Sequence, residues 1–151
     1  MLLPGLLFVA CFTSCSSILP TESEVASLIQ EAVDQRKMLI ILEPTSFDWD
    51  RVYFFPPYST AAGIQEVLEA EWPDAATSRV IDLDTHTLVV FTDNAQVVHA
   101  FDYPRDHADF SHLGNTNGYP RNDAVFTIFL NEEKSWPKVE YMPRLSWLTS
   151  Q

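Results

Sequence analysis

The two cysteines of this 151-residue chain stand at positions 11 and 15, and none follows. Everything after residue 15 must therefore fold without a disulfide framework, a thiolate metal cluster or a cysteine nucleophile. Packing alone has to hold it. The means are present: four Trp, five Tyr and ten Phe supply large buried areas. With 46% hydrophobic and 20% charged residues the composition is that of a globular chain, and the length fits one domain. The formal charge of −12 argues against a nucleic-acid partner, because phosphate binding needs clustered Lys and Arg. Such an acidic balance keeps a domain soluble, and it also steers a protein partner with a basic surface.

No charged side chain occurs before Glu22. Within that stretch Leu2, Leu3, Leu6, Leu7, Phe8, Val9, Ala10, Cys11 and Phe12 form an apolar run about one signal-peptide core long. It falls short of the roughly 20 apolar residues a bilayer-spanning helix needs. Thr13, Ser14, Cys15, Ser16 and Ser17 follow, and small residues before a cysteine at the end of an apolar run resemble the bacterial lipobox. The resemblance implies a lipoprotein-type signal peptide over 1–14, lipidation of Cys15 and a tether over 15–21. A single α+β domain over 22–151 then follows. It also implies an exported protein held on a membrane through Cys15, in the outer membrane or periplasm of a Gram-negative host. Phe12 stands where Leu is commonest, and no Lys or Arg precedes the apolar core; a start further upstream, or the α-amino group, would account for the latter. The alternative is an ordinary buried N-terminal segment with two incidental cysteines.

Thr21 with Glu24 fits a capping box. Val25, Leu28, Ile29, Ala32 and Val33 then recur at helical spacing, with Arg36 and Lys37 at the negative end. The apolar run 38–42 predicts a buried strand, and 51–55 a second, ended by Pro56 and Pro57. Ser59 or Thr60 caps a second helix bearing Ile64, Val67, Leu68 and Trp72, which Pro73 stops. Strands over 87–91 and 96–103, joined through Asp93, Asn94 and Ala95, predict a hairpin. Further strands are expected over 124–130 and 139–142. Residues 106–123 read as a long polar loop, of a length that often carries binding. The expected architecture is a mostly antiparallel sheet of about five or six strands packed by two helices.

The segment Phe47, Asp48, Trp49, Asp50, Arg51, Val52, Tyr53, Phe54, Phe55, Pro56, Pro57, Tyr58, Ser59 resembles a group of small, mostly uncharacterised bacterial exported proteins and lipoproteins. They share a Trp-Asp-basic-Val-Tyr-aromatic segment, a Pro-Tyr-Ser/Thr turn and an Ile-bearing helix. The likeness extends weakly to Leu88–Phe91 and Val97–Val98. It implies the fold and the exported address, and brings no established activity. On the residues alone, alternation sends Val52 and Phe54 to one face and Tyr53 and Phe55 to the other. Trp49 and Tyr58 either wall a pocket or close the core. Asp50 beside Arg51 is either an ion pair or a turn constraint. Trp49, Asp50, Arg51, Tyr53 and Tyr58 are thus the candidate binding residues.

A catalytic set is not legible. No phosphate-binding loop, dinucleotide fingerprint or nucleophile elbow occurs, and four glycines leave no Gly-rich cradle. His107, Asp109 and His112 are the weak candidates for a metal, against the reading of a solvated acidic loop. His99, flanked on its strand face by Val97 and Phe101, reads as a partly buried histidine. Asp82 and Asp84 would work as an acid–base pair only if burial shifted one of them. No cofactor is expected. Three functions follow in order: a non-catalytic envelope lipoprotein that binds a protein or envelope component, a periplasmic immunity or inhibitor protein neutralising a toxin, and a small metal-dependent hydrolase.

Overall fold

The computed structural model describes residues 22–37, 39–129 and 136–143. Helix α1 (Glu22–Asp34) buries Val25, Ile29 and Ala32, the positions the helical period selects. Thr21 lies outside the described residues, and Glu24 has a tertiary role. Its carboxylate accepts the Ser46 N–H at 2.8 Å and the Ser46 hydroxyl at 2.6 Å, which fastens α1 to the segment before Trp49. After the helix, Arg36 turns left-handed, and Lys37 returns to Glu31 at 2.9 Å. The basic pair thus follows the helix end and lies outside its last turn.

The class is α+β, with two α-helices and antiparallel strands, and the strands divide between two sheets. Strands β1 (Leu39–Ile41), β6 (Val125–Phe129) and β7 (Lys138–Tyr141) form one, in the order β1-β6-β7. Strands β2 (Arg51–Phe55), β3 (His86–Asp93), β4 (Gln96–Pro104) and β5 (Tyr119–Pro120) form the other, in the order β4-β3-β2-β5. The division follows from β2. Val52 and Phe54 enter a large cluster with Ile29 of α1, Phe91 of β3 and Phe126 of β6. Tyr53 and Phe55 enter a smaller one with Ile64 and Leu68 of helix α2 (Ala61–Leu68) and Val80. A strand apolar on both faces needs cover on both. The four-stranded sheet is therefore the middle layer, with α1 and the three-stranded sheet on one side and α2 on the other.

Helix α2 starts where the sequence indicates: Thr60 accepts the Gly63 N–H at 3.1 Å. It ends earlier than Pro73. Glu69 adopts a left-handed conformation (φ 52°), and Gln65 takes the Trp72 N–H at 2.9 Å, so the chain leaves the helix before Trp72. Pro73 instead opens a 3₁₀ turn, Pro73–Thr77.

Residues 106–118 are not a free polar loop. Ala108, Phe110 and Leu113 are buried, and Tyr119 closes the segment with its hydroxyl on the Leu113 carbonyl at 3.0 Å. Phe110 lies parallel to Phe54 at 5.0 Å and edge-on to Phe126 at 6.3 Å, filling the space between the two sheets. Full burial of one such ring contributes about 2–3 kcal/mol. Asp109 pins the segment. Its carboxylate takes Arg105 Nε and Nη2, each at 3.0 Å, and its backbone bridges β7, to the Pro137 carbonyl at 2.7 Å and from the Val139 N–H at 3.1 Å. These apolar residues at 108, 110, 113 and 119 match neither the helical nor the strand period, which is why the polar residues between them dominate the sequence pattern.

The β3–β4 hairpin turns on Asn94 and Ala95, with φ of 49° and 61°. Two positive φ values in a two-residue loop match the twist of the strands, and the second position normally selects glycine. Ala95→Gly should raise stability by about 0.5–1 kcal/mol, read as an upward shift of the urea midpoint at unchanged m-value. Asp109 gives a pH signature. Burial pushes its carboxyl up, but the hydrogen bonds from Arg105 and Ser111 outweigh that and hold it below the ordinary aspartate value of 3.8. A depressed folded pKa contributes stability above the unfolded value, and that stability is lost as pH falls through the folded one. Asp109→Asn should therefore cost about 1–2 kcal/mol at neutral pH. The gap to the parent should close as the pH drops below about 4, measured by denaturation across pH.

Candidate functional site

The segment 49–58 contributes in three different ways. Trp49 closes the core: it is buried, its indole N–H donates to Thr45 Oγ1 at 2.7 Å, and its ring meets Phe91 edge-on at 5.0 Å. Asp50 is a turn constraint. Its carboxylate accepts the Thr92 hydroxyl at 3.0 Å and the Asn94 N–H at 3.2 Å, gripping the β3–β4 hairpin at its tip. Tyr58 is 66% exposed in a left-handed conformation (φ 64°) after the two prolines. It neither closes the core nor lines a cavity among those described.

Asp50, Arg51 and Tyr53 converge. Together with Glu69, Thr92 and Asn117 they line a cleft of about 410 Å³ between α2, the tip of the hairpin and residues 116–117. Arg51 sits in the cleft wall with Nη1 donating to the Asn117 carbonyl at 2.6 Å. Burial raises the Tyr53 phenol above its ordinary pKa; Arg51 opposes that rise, while Asp50 and Glu69 add to it. Tyr53 is thus a neutral hydrogen-bonding group across the physiological range. Val67 and Thr116 join this polar cleft to an apolar groove of about 290 Å³, walled by Phe54, Phe55, Ile64 and Gly114. The composite has a charged end with both signs and an apolar end, the make-up of a recognition site for an amphipathic ligand.

The other sequence candidates are not brought together. His107 and His112 are exposed, while the Asp109 carboxylate is held by Arg105. Among the described residues no group of three or more His, Cys, Asp or Glu side chains is placed to hold a metal ion. Asp82 and Asp84 are both exposed. The His99 ring packs among Phe47, Phe91 and Phe101, with centroids at 5.1, 6.2 and 5.5 Å.

Glu69, Thr92 and Asn117 are cleft residues that sequence reasoning passes over. Glu69 offers no signal, because the left-handed position that ends the helix is usually glycine and here is a glutamate. Asn117 does: Asn-Gly at 117–118 is a turn dipeptide. Gly118 there has φ +63°, and a Cβ on it would lie 2.7 Å from the Tyr53 ring. The glycine is what lets Tyr53 form the cleft floor.

Compared with protein-family models, with curated proteins and with solved structures, the chain matches none.

Gly118→Ala should cost about 2 kcal/mol or more, from left-handed strain plus the collision with Tyr53, whereas Gly114→Ala should be nearly neutral. The nearest atom to an added Cβ at Gly114 is the Phe54 carbonyl oxygen at 3.9 Å, an ordinary contact. Paired thermal unfolding of the two variants checks this.

Proposed function

We propose that this chain is an exported lipoprotein, anchored through Cys15, whose α+β domain is a non-catalytic binding module for a protein or envelope component. The observation that carries the binding half is the convergence of Asp50, Arg51 and Tyr53 on one cleft that continues into an apolar groove. A fixed carboxylate, a guanidinium and a neutral phenol together offer hydrogen-bond acceptors, donors and both signs of charge to a bound group, which supports recognition. The export half rests on the charge-free stretch before Glu22 and on the small residues around Cys15. Two or three acyl chains on such a cysteine give stable anchoring where one does not. No helix among the described residues is long and apolar enough to cross a membrane, so attachment in this reading depends on the lipid. An inhibitor or immunity protein is the second reading, favoured by the net charge of −12, which speeds association with a basic active site.

The test is intact mass and membrane fractionation of the full-length protein beside Cys15→Ser, expressed in a bacterium. The expected mature species starts at Cys15, carries acyl mass and sediments with membranes, and all three properties vanish in the variant. An unprocessed protein that keeps Met1 and stays out of the membrane fraction would overturn the export half. For the binding half, a photo-crosslinking residue at Thr116 should capture an envelope component that the same residue at exposed Glu31 does not.

A further inference from the structure

Three charged side chains line the Arg51 cleft: the guanidinium itself and the carboxylates of Asp50 and Glu69. Among the described residues none of them forms an ion pair with another. Arg51 gives one of its five N–H donors to the Asn117 carbonyl, and the rest meet no acceptor among the described residues. Asp50 is held by Thr92 and Asn94. Glu69 is exposed, and its carboxylate takes no hydrogen bond or ion pair among the described residues. All three charges act on the Tyr53 phenol, so they stand around one floor.

Glu69 is out of place by local rules. It ends α2 with φ 52°, a conformation that favours glycine, and its N–H closes on the Gln65 and Glu66 carbonyls. A side chain there costs backbone strain, and a negative one also meets the negative end of the helix. Glycine would relieve the strain and lysine would suit the field. The chain instead keeps a carboxylate at a position where both disfavour it, and departures of that kind gather at binding sites. Past Val67 and Thr116 the cleft opens into the apolar groove walled by Phe54, Phe55 and Ile64.

We propose that cleft and groove together hold a single-chain ethanolamine phospholipid, with its phosphate on Arg51, its ammonium on Glu69 and its acyl chain in the groove. The inference rests on the reading of this cleft as a binding site and names its ligand. A guanidinium with unused N–H donors matches a phosphate, and an unpaired carboxylate matches a primary ammonium. Arg51 and Glu69 lie beyond ion-pair distance of each other, so the two charges of the ligand need a spacer between them. Ethanolamine supplies that spacer, and an α-amino acid does not. A phosphate alone would face two carboxylates in a chain of net charge −12, and an alkylammonium alone would face the guanidinium. One aliphatic chain suits one groove of about 290 Å³.

The probe is octanoyl lysophosphatidylethanolamine, compared with octanoyl lysophosphatidic acid, which lacks the ammonium, and octylamine, which lacks the phosphate. Each is titrated below its micelle-forming concentration into the full chain held in a nonionic amphipathic polymer, so that no detergent competes. The zwitterionic probe should bind about tenfold more tightly than either partial head. Its affinity should rise about fourfold per methylene as the acyl chain is lengthened from butanoyl to octanoyl. Glu69→Gly should raise the urea midpoint and still weaken the zwitterionic probe about tenfold, a loss that no folding defect explains. Arg51→Gln, which keeps a donor for the Asn117 carbonyl, should weaken the zwitterionic probe and tighten octylamine. Gly114→Leu, where an added Cβ has only the Phe54 carbonyl oxygen at 3.9 Å for a neighbour, fills the groove and should remove the dependence on chain length. Equal affinities for the three head groups would overturn the proposal. So would full binding by Glu69→Gly, or a chain-length dependence that survives in Gly114→Leu. The photo-crosslinking residue at Thr116 separates this ligand from the reading beneath it. Capture of an envelope component by a chain that binds none of the three probes overturns the phospholipid and leaves the binding module standing; no capture and no probe binding overturns both.

Discussion

Everything in this fold hangs on burying four consecutive residues that face two ways. Strand β2 sends Val52 and Phe54 one way and Tyr53 and Phe55 the other, all of them at most 8% exposed. A half-exposed sheet would leave two large aromatic side chains in water, a loss of several kcal/mol on the scale of about 2–3 kcal/mol for each. The two layers that prevent it are built from very different stretches of chain. On one side α1, the three-stranded sheet and Phe110 meet Phe54; on the other, α2 and the turns around Val80 meet Tyr53 and Phe55. With no cysteine after residue 15, this double burial stands where a disulfide framework stands in many small secreted domains.

That same economy of means ties the candidate cleft to the core. Its floor, Tyr53, is a core residue seen from its edge, and its wall, Asp50, is the residue that grips the hairpin through Thr92 and Asn94. Arg51 is exposed, and it is oriented by a carbonyl of the segment that Phe110 and Tyr119 anchor. Asp50 and Tyr53 thus belong to site and scaffold at once.

How much of this was legible depended on whether a residue's role followed from local period. Both helices, the strands over 51–55 and the hairpin, and the two-faced character of β2 are written in alternation and helical spacing, and the structure carries them. The split into two sheets is not, because it depends on Phe110 and Tyr119, whose spacing has no period and whose loop looks polar between them. Helix α2 ends at Leu68 and not before Pro73 because Glu69 turns left-handed, with the Glu69 and Ala70 N–H groups closing on the Glu66 and Gln65 carbonyls, an ending that no glycine marks in the sequence. In the candidate site, Asp50, Arg51 and Tyr53 were found as a motif, but Trp49 and Tyr58 of the same motif separated. One lies in the core, and the other is exposed on a left-handed turn. A motif marks a stretch of chain, and only three-dimensional placement divides it into ligand-facing and packing residues.

The cleft and strand β4 share the β3–β4 hairpin. Asp50 holds Thr92 and Asn94, and the turn that follows delivers the chain into Gln96, the first residue of β4. The bulge at Val98 comes directly after, so the register of β4 on β3 shifts within a few residues of the turn that this carboxylate holds. The physical link is a single turn containing Ala95 in a conformation that glycine would hold with less strain.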